Sequence, residues 1–313
     1  SIPNPKIFIN TLSLQEAKDS SSIENVFTTN DKLFKAFTAD SEADPHTKEV
    51  LRYGKALVDG FEVIKSKKEF SVELIEKIYR NIKNENDGIR DFQVYIGNDY
   101  RKLYTPPCCR GVILSKLYNW ITVANSKSDE IDPLIKMAIL HYQFEAIHPF
   151  KDGNGRTGRV INVLLLSAYD LLEDPVLYLS KYINEYKNDY YRLLLGVTEK
   201  NNWEEWILFI LKAVEETAKY TLDKISSIIG LFNETKVKIQ SEAPKIYSFE
   251  LLETLFTQVY CKYAFLVEQG IASSRNTASK YLNRLVEIGI LEKEKVGNEF
   301  IFKNKGLYEL FKK

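Results

Sequence analysis

His148-Pro149-Phe150-Lys151-Asp152-Gly153-Asn154-Gly155-Arg156-Thr157-Gly158-Arg159 gathers a base, a carboxylate, three glycines, an amide and two arginines into one short stretch. A packed core has no use for that combination, whereas a site that handles phosphate does. The histidine can move a proton. The carboxylate can hold Mg²⁺. Glycines let backbone N–H groups approach an anion, and arginines grip phosphate oxygens in forked geometry.

The flanks of this stretch set the fold class. Ile131 to Ile147 is apolar around most of its circumference and reads as a buried helix, with Asp132-Pro133 suited to its start. Val160 to Leu172 reads as a second buried helix. The motif is therefore expected in a helix–loop–helix, with its glycines just ahead of a helix N-terminus that favours anions. Gly153 to Gly158 also matches G-x-G-x-x-G, but the dinucleotide fingerprint needs a preceding strand, and a helix precedes here.

Further out, helices are expected at Thr47–Ser66, Ser71–Ile82, Leu114–Asn125, Tyr182–Val197 and from Trp203 to about Gln240. Ser13-Leu14-Gln15-Glu16 and Ser21 to Glu24 read as capping boxes, and Asn30 or Asp31 as the cap of another short helix. Residues 92–107 break the helical trend. Phe92, Val94 and Ile96 alternate, Gly97-Asn98-Asp99 signals a turn, and Thr105-Pro106-Pro107 ends a second run, so a β-hairpin is expected whose edge could accept a peptide. The tyrosines Tyr182, Tyr186, Tyr190 and Tyr191 suit packing or the wall of a purine pocket. A polar linker runs from Ser126 to Asp132. Ser241-Glu242-Ala243-Pro244 marks a boundary. Beyond it, helices at Phe249–Cys261, Tyr263–Gln269 and Asn276–Ile288, then a hairpin over 290–302, spell a winged helix-turn-helix.

Hydrophobic residues make up 44% and charged residues 27%, the balance of an ordinary globular protein. The formal net charge is zero, which removes any global electrostatic case for nucleic acid or an anionic membrane. Residues 240–313 hold 11 Lys and Arg against 9 Asp and Glu, a thin surplus for DNA binding. No apolar run is long enough to span a membrane, and the start is too polar for a signal peptide. That the first residue is Ser1 suits processing or truncation alike. Cys108, Cys109 and Cys261 make neither a disulfide framework nor a zinc pattern, so a cytoplasmic setting is expected.

The stretch from His148 to Arg159 resembles the H-x-F-x-D/E-G-N-G-R-x-x-R signature of the Fic family, enzymes that move AMP from ATP onto protein hydroxyls. Ser20-x-x-x-Glu24-Asn25 is similar to that family's S/T-x-x-x-E-G/N inhibitory motif, and residues 92–107 look like its target-docking flap. The resemblance implies a mainly α fold: a Fic-type helical bundle with a β-hairpin flap, followed by a winged helix. It divides the chain into an N-terminal segment with an inhibitory helix (1–45), a catalytic core (46–225), a helical linker (226–244) and the winged domain (245–313). It implies His148 as base and Asp152 as the Mg²⁺ ligand. Gly153, Asn154, Gly155, Arg156, Thr157, Gly158 and Arg159 would meet the phosphates of ATP, and Ile96, Gly97 and Tyr191 the adenosine. Glu24, in the inhibitory motif it shares with Ser20, would restrain the enzyme by competing for Arg159. A target protein on the flap is the implied partner, and a second copy of the chain and DNA stay open. Removal of AMP at the same site, and a DNA-binding regulator with an inactive Fic fold, are the competing readings.

Overall fold

The computed structural model describes residues 4–38, 43–98, 101–127 and 130–312. Asp99 of the expected turn, Ser128 and Asp129 of the expected linker, and Ser1 lie outside them. In chain order the elements are α1 (Lys6–Ile23), α2 (Asn30–Thr38), α3 (Pro45–Lys67), α4 (Val72–Lys83), β1 (Ile96–Asn98), β2 (Arg101–Tyr104), α5 (Arg110–Asn125), α6 (Pro133–Ile147) and α7 (Asn154–Ala168). Then come α8 (Leu179–Glu185), α9 (Lys187–Lys200), α10 (Trp203–Glu242), α11 (Phe249–Thr257), β3 (Tyr260–Cys261), α12 (Tyr263–Glu268), α13 (Arg275–Glu287), β4 (Leu291–Val296), β5 (Glu299–Asn304) and α14 (Lys305–Lys312).

The residues cluster into two compact units. One joins Glu16–Phe27 to Glu49–Lys219; the other joins residues up to Gln15, Thr28–Lys48 and residues from Tyr220 onward. In the first, α6 and α7 pack on each other, with α5 against α6 and α4 and α8 against α7. Met137, Ala138, Phe144, Val160, Val163, Leu164 and Leu165 have no solvent exposure. These two helices are the core, which is why their sequences show apolar residues all round. Asp132 opens α6 by accepting the Leu134 N–H at 2.8 Å, with proline in the first turn as expected.

Several boundaries differ from those read in the sequence, each for a local reason. The helix expected at Val160 begins at Asn154, six residues earlier, and ends at Ala168 rather than Leu172. Gly155 and Gly158 are poor helix formers, but burial of their turn overrides propensity. The expected capping boxes fall inside α1. Its start is served by Asn4, whose side chain accepts the Lys6 N–H at 3.1 Å, so Ser13 and Ser21 follow helical residues and cannot cap. Thr29, rather than Asn30 or Asp31, caps α2 by accepting the Lys32 N–H at 3.2 Å. The helix expected over Tyr182–Val197 breaks at Tyr186 into α8 and α9. The hairpin is shorter than its pattern: Phe92 and Val94 precede β1, and the register shifts between Ile96 and Gly97.

In the second unit, the expected helix Phe249–Cys261 stops at Thr257, and Tyr260-Cys261 forms a strand instead. It pairs with β5 in an antiparallel sheet of order β3-β5-β4. The sequence helix, strand, helix, helix and two-stranded wing is the element order of a winged helix. Ser248 and Ser274 cap α11 and α13 by accepting the N–H groups of Leu251 and Thr277.

Candidate active site

The site grows from the turn between α6 and α7. His148 ends α6 in the left-handed region, with φ 48°. Phe150 drops into the core and stacks on Tyr79 with ring centroids 4.0 Å apart. The Asn154 side chain accepts the Phe150 N–H at 2.8 Å and donates to the Phe150 carbonyl at 2.9 Å, closing the loop. Gly153 turns the chain into α7 with φ 75°, a conformation glycine adopts without strain. The first intrahelical bond of α7 runs from the Thr157 N–H to the Gly153 carbonyl. The amides of Asn154, Gly155 and Arg156 therefore carry the free donors of a helix N-terminus, the end that favours an anion.

Burial pushes the His148 imidazole down to about 4, so the ring is neutral at pH 7. Its Nδ1 lies 3.3 Å from the Glu145 carbonyl. With the proton placed there by that partner, Nε2 keeps its lone pair. Arg90, to which the sequence reading gave no role, pins this turn. Its Nε donates to the His148 carbonyl at 2.9 Å, its other nitrogens reach the carbonyls of Phe92 and Pro107, and its own N–H donates to the Pro149 carbonyl. A buried arginine bonded only to carbonyls leaves no periodicity or motif in the sequence.

The two arginines of the motif do different work. Arg156 is buried in an ion pair with Glu49 of α3 and lies 3.5 Å from Asp152. It holds the loop. Arg159 is 1% exposed. Its Nε donates to the Ser20 hydroxyl at 2.8 Å, and one terminal nitrogen donates to the Ser20 carbonyl and to Glu24 Oε1, both at 2.9 Å. Burial opposes this charge, but Glu24 holds the guanidinium protonated above its ordinary range. A Cβ at Gly155 would collide with the same Glu24 oxygen, so the glycine makes room for the carboxylate. Asn25, directly after Glu24, has φ 62°, which suits the Gly or Asn expected there. Helix α1 is itself anchored in this unit, because Glu16 accepts from the Ser180 N–H at 2.8 Å and from the Ser180 hydroxyl at 2.5 Å.

Thr157 is wholly buried, and its hydroxyl donates to the Gly153 carbonyl at 2.9 Å. Gly158 faces Phe144 and Glu145 of α6. Ile96, Gly97 and Tyr191 do come together. They line a cavity of about 400 Å³ with Leu103, Leu194 and Leu195. Tyr190 turns inward instead, its hydroxyl 2.9 Å from His141 Nε2.

The Asp152 carboxylate is the site's exposed acid, with its side chain 60% exposed. Burial raises its pKa and Lys83, 2.7 Å away, lowers it more, so it stays ionised below its ordinary value. Among the described residues no cluster of three metal-binding side chains occurs. A single carboxylate fits Mg²⁺ where substrate phosphates and water complete the shell.

Three family models match the chain: the Fic/DOC family N-terminal region over residues 1–62, the Fic/DOC family over 69–166, and the C-terminal domain of SoFic-like protein adenylyltransferase over 231–307. The chain belongs to the Fic/DOC family. This Fic/DOC chain is 32% identical over 105 residues to protein adenylyltransferase fic-1 of Caenorhabditis elegans, covering 31% of the chain and 19% of that protein. It is 31% identical over 194 residues to protein adenylyltransferase Fic of Drosophila willistoni, covering 58% and 36%. The matches thus span between about a fifth and a third of those relatives' length. A Fic family protein from Desulfovibrio desulfuricans G20 shares the fold at TM-score 0.59 and 18% identity, over 95% of this chain and 87% of that one. Fic-1 of C. elegans (residues 134–508) does so at TM-score 0.53 and 21% identity, over 68% and 63%. Among the described residues no helix is long and apolar enough to cross a membrane.

Proposed function

We propose that this chain transfers AMP from ATP to a hydroxyl side chain of a target protein, and that Glu24 restrains it through Arg159. The observation that carries the reading is the Arg159 guanidinium. It belongs to the catalytic motif, yet Ser20 and Glu24 of the inhibitory motif, some 135 residues away in sequence, engage it with three hydrogen bonds. The curated relatives named protein adenylyltransferase support the same reaction.

In this mechanism neutral His148 takes the proton of the target hydroxyl at Nε2. The hydroxyl oxygen attacks the α-phosphorus of ATP, the bond to the bridging oxygen breaks, and pyrophosphate leaves. The N–H groups of Asn154 and Gly155 hold the phosphate oxygens, where losing one preorganised donor typically costs about 10²–10³ in rate. Asp152 would hold Mg²⁺, which offsets the phosphate charge when bound. Arg156 keeps the loop in shape through Glu49. Arg159 would grip the γ-phosphate and align the α-phosphorus, a task it cannot perform while paired with Glu24. The target peptide would add as a strand to the edge of the 92–107 flap, leaving Ile96, Gly97 and Tyr191 to the adenosine.

The test is incubation with α-labelled ATP and Mg²⁺, comparing the native chain, Glu24→Gly and Glu24→Gly/His148→Ala. Label transfer by Glu24→Gly should exceed the native rate by at least about tenfold, equivalent to about 1.4 kcal/mol of lost competition. The double variant should transfer none. Equal rates in the native chain and Glu24→Gly would remove the restraint, and no label from either would remove AMP transfer.

A further inference from the structure

Glu145 stands three residues before His148 on α6; its carbonyl faces the histidine, but its side chain takes no part in the mechanism above. The residue lines the 400 Å³ cavity. The residue is 8% exposed, and Oε1 is buried without a hydrogen-bond partner among the described residues. Helix α7 leaves space for it, because a Cβ at Gly158 would lie 2.5 Å from Oε1. A buried carboxyl oxygen without a partner costs stability, so its retention here needs a reason.

The other polar side chains of the cavity on α6 and the flap are already engaged. The Tyr104 hydroxyl donates to the Ala146 carbonyl at 3.0 Å, and the Tyr142 and Thr198 hydroxyls pair at 3.0 Å. Leu103, Leu194 and Leu195 supply apolar wall. The lining therefore suits a flat, mostly apolar ring that carries a polar edge toward Glu145.

We propose that Glu145 is the base-reading residue of the cavity, hydrogen-bonding the 6-amino group of an adenine and so selecting adenine over 6-oxopurines. The inference rests on the AMP-transfer reading, since it takes the cavity as the nucleoside site. Burial pushes the carboxyl up to about 7, so both protonation states are populated near neutral pH. The 6-amino group finds an acceptor oxygen on Glu145 in either state. A 6-oxo oxygen finds a donor only on the neutral acid, and faces an acceptor on the ionised one. Glutamine would keep an acceptor and a donor; leucine would keep neither.

The experiment compares ATP with inosine triphosphate, which differs at position 6 of the ring. In the Glu24→Gly background at pH 8, where the carboxyl is mostly ionised, kcat/KM should favour ATP by about tenfold. Glu145→Gln, whose amide can donate to a 6-oxo oxygen at any pH, should still bind ATP but narrow that preference. Glu145→Leu should raise KM for ATP by about tenfold, leave kcat within about threefold, and bring the ATP-to-ITP ratio near one. Glu145→Met serves in its place if the leucine variant does not fold, as judged by circular dichroism. A kcat loss equal for both nucleotides, with the ratio unchanged, would overturn the proposal in favour of a structural role. So would a lost preference for ATP over 2′-deoxy-ATP with the ITP ratio intact, which would move Glu145 to the ribose. Equilibrium binding of ATP and ITP to the His148→Ala protein reads base selection without transfer. Selective binding without labelling by Glu24→Gly would therefore reject the reaction and keep the base reading.

Discussion

The catalytic unit and the C-terminal domain handle charge in opposite ways. In residues 249–312 the buried polar side chains are Thr254 and Asn304, and both bond to nearby carbonyls. The charges there lie on the outside in pairs such as Lys303–Glu292 and Arg284–Glu287. The unit that carries the His148–Arg159 motif instead buries the charges of Arg90, Arg156 and Arg159 and the ionisable groups of Glu16, His141 and Glu145. Removing charge from water is costly, and apolar residues would fill the same space more cheaply. Under the proposed function, buried charge survives where AMP transfer or its restraint uses it.

Arg159→Leu should give the largest effect. The substitution leaves Glu24 and the Ser20 carbonyl without their donor and strands a half-buried carboxylate. Breaking a buried pair in this way typically costs about 3–5 kcal/mol. Urea unfolding of the native chain and the variant measures it. A loss under about 1 kcal/mol would mean that the pair is not held in solution, and the contrast between the two regions would lose its strongest example.

Much of this contrast was legible in the sequence, and the illegible part has a common cause. The spacing of His148, Asp152, Gly153, Asn154, Gly155, Arg156 and Arg159 within one turn and one helix start survives in any linear reading. Ser20 and Glu24 were legible because their motif has its own spacing. Glu49, Lys83, Arg90 and Glu145 were not, since each reaches the site from another element, or from an unremarkable helix position, and only the packing of α3, α4 and α6 brings it there. The α7 boundary was misread for the same kind of reason. Propensity placed its glycines in a loop, while burial and the Asn154 clamp start the helix at them. The C-terminal domain was read more fully because its caps and wing are local, although Tyr260-Cys261, a strand fixed by distant β5, and the last helix, Lys305–Lys312, were missed.

The pH dependence of stability sharpens the comparison at intermediate size. Burial pushes His141 down to about 3 and His148 to about 4. Folding therefore favours their neutral forms, and their contribution is fully present above the ordinary value of about 6.5. It is lost as pH falls toward 4. Glu16 and Glu145 are raised to about 7 by burial, so their contribution is fully present below about 4.5 and lost as pH rises through 7. The catalytic unit is thus opposed from both sides. His141→Gln should flatten the acid limb between pH 6.5 and 4 by on the order of 2 kcal/mol, seen as a smaller fall in unfolding free energy. An unchanged limb would show that His141 is already charged or solvated in the fold.

The smallest effect should come from the C-terminal surface. Arg284 pairs with Glu287 at 2.8 Å one turn along α13 and also donates to the Glu242 carbonyl at 2.9 Å. On paper these contacts match the hydrogen-bond distances around Arg159. Their surroundings differ, since the Arg284 and Glu287 side chains are 45% and 63% exposed. Water replaces whatever is removed, salt screens what remains, and two long side chains lose rotamer freedom to hold the pair. Arg284→Ala should therefore shift unfolding by about 0–0.5 kcal/mol, and less still at high salt. A loss near that of Arg159→Leu would show that distance, rather than burial, sets the value of a charge in this protein.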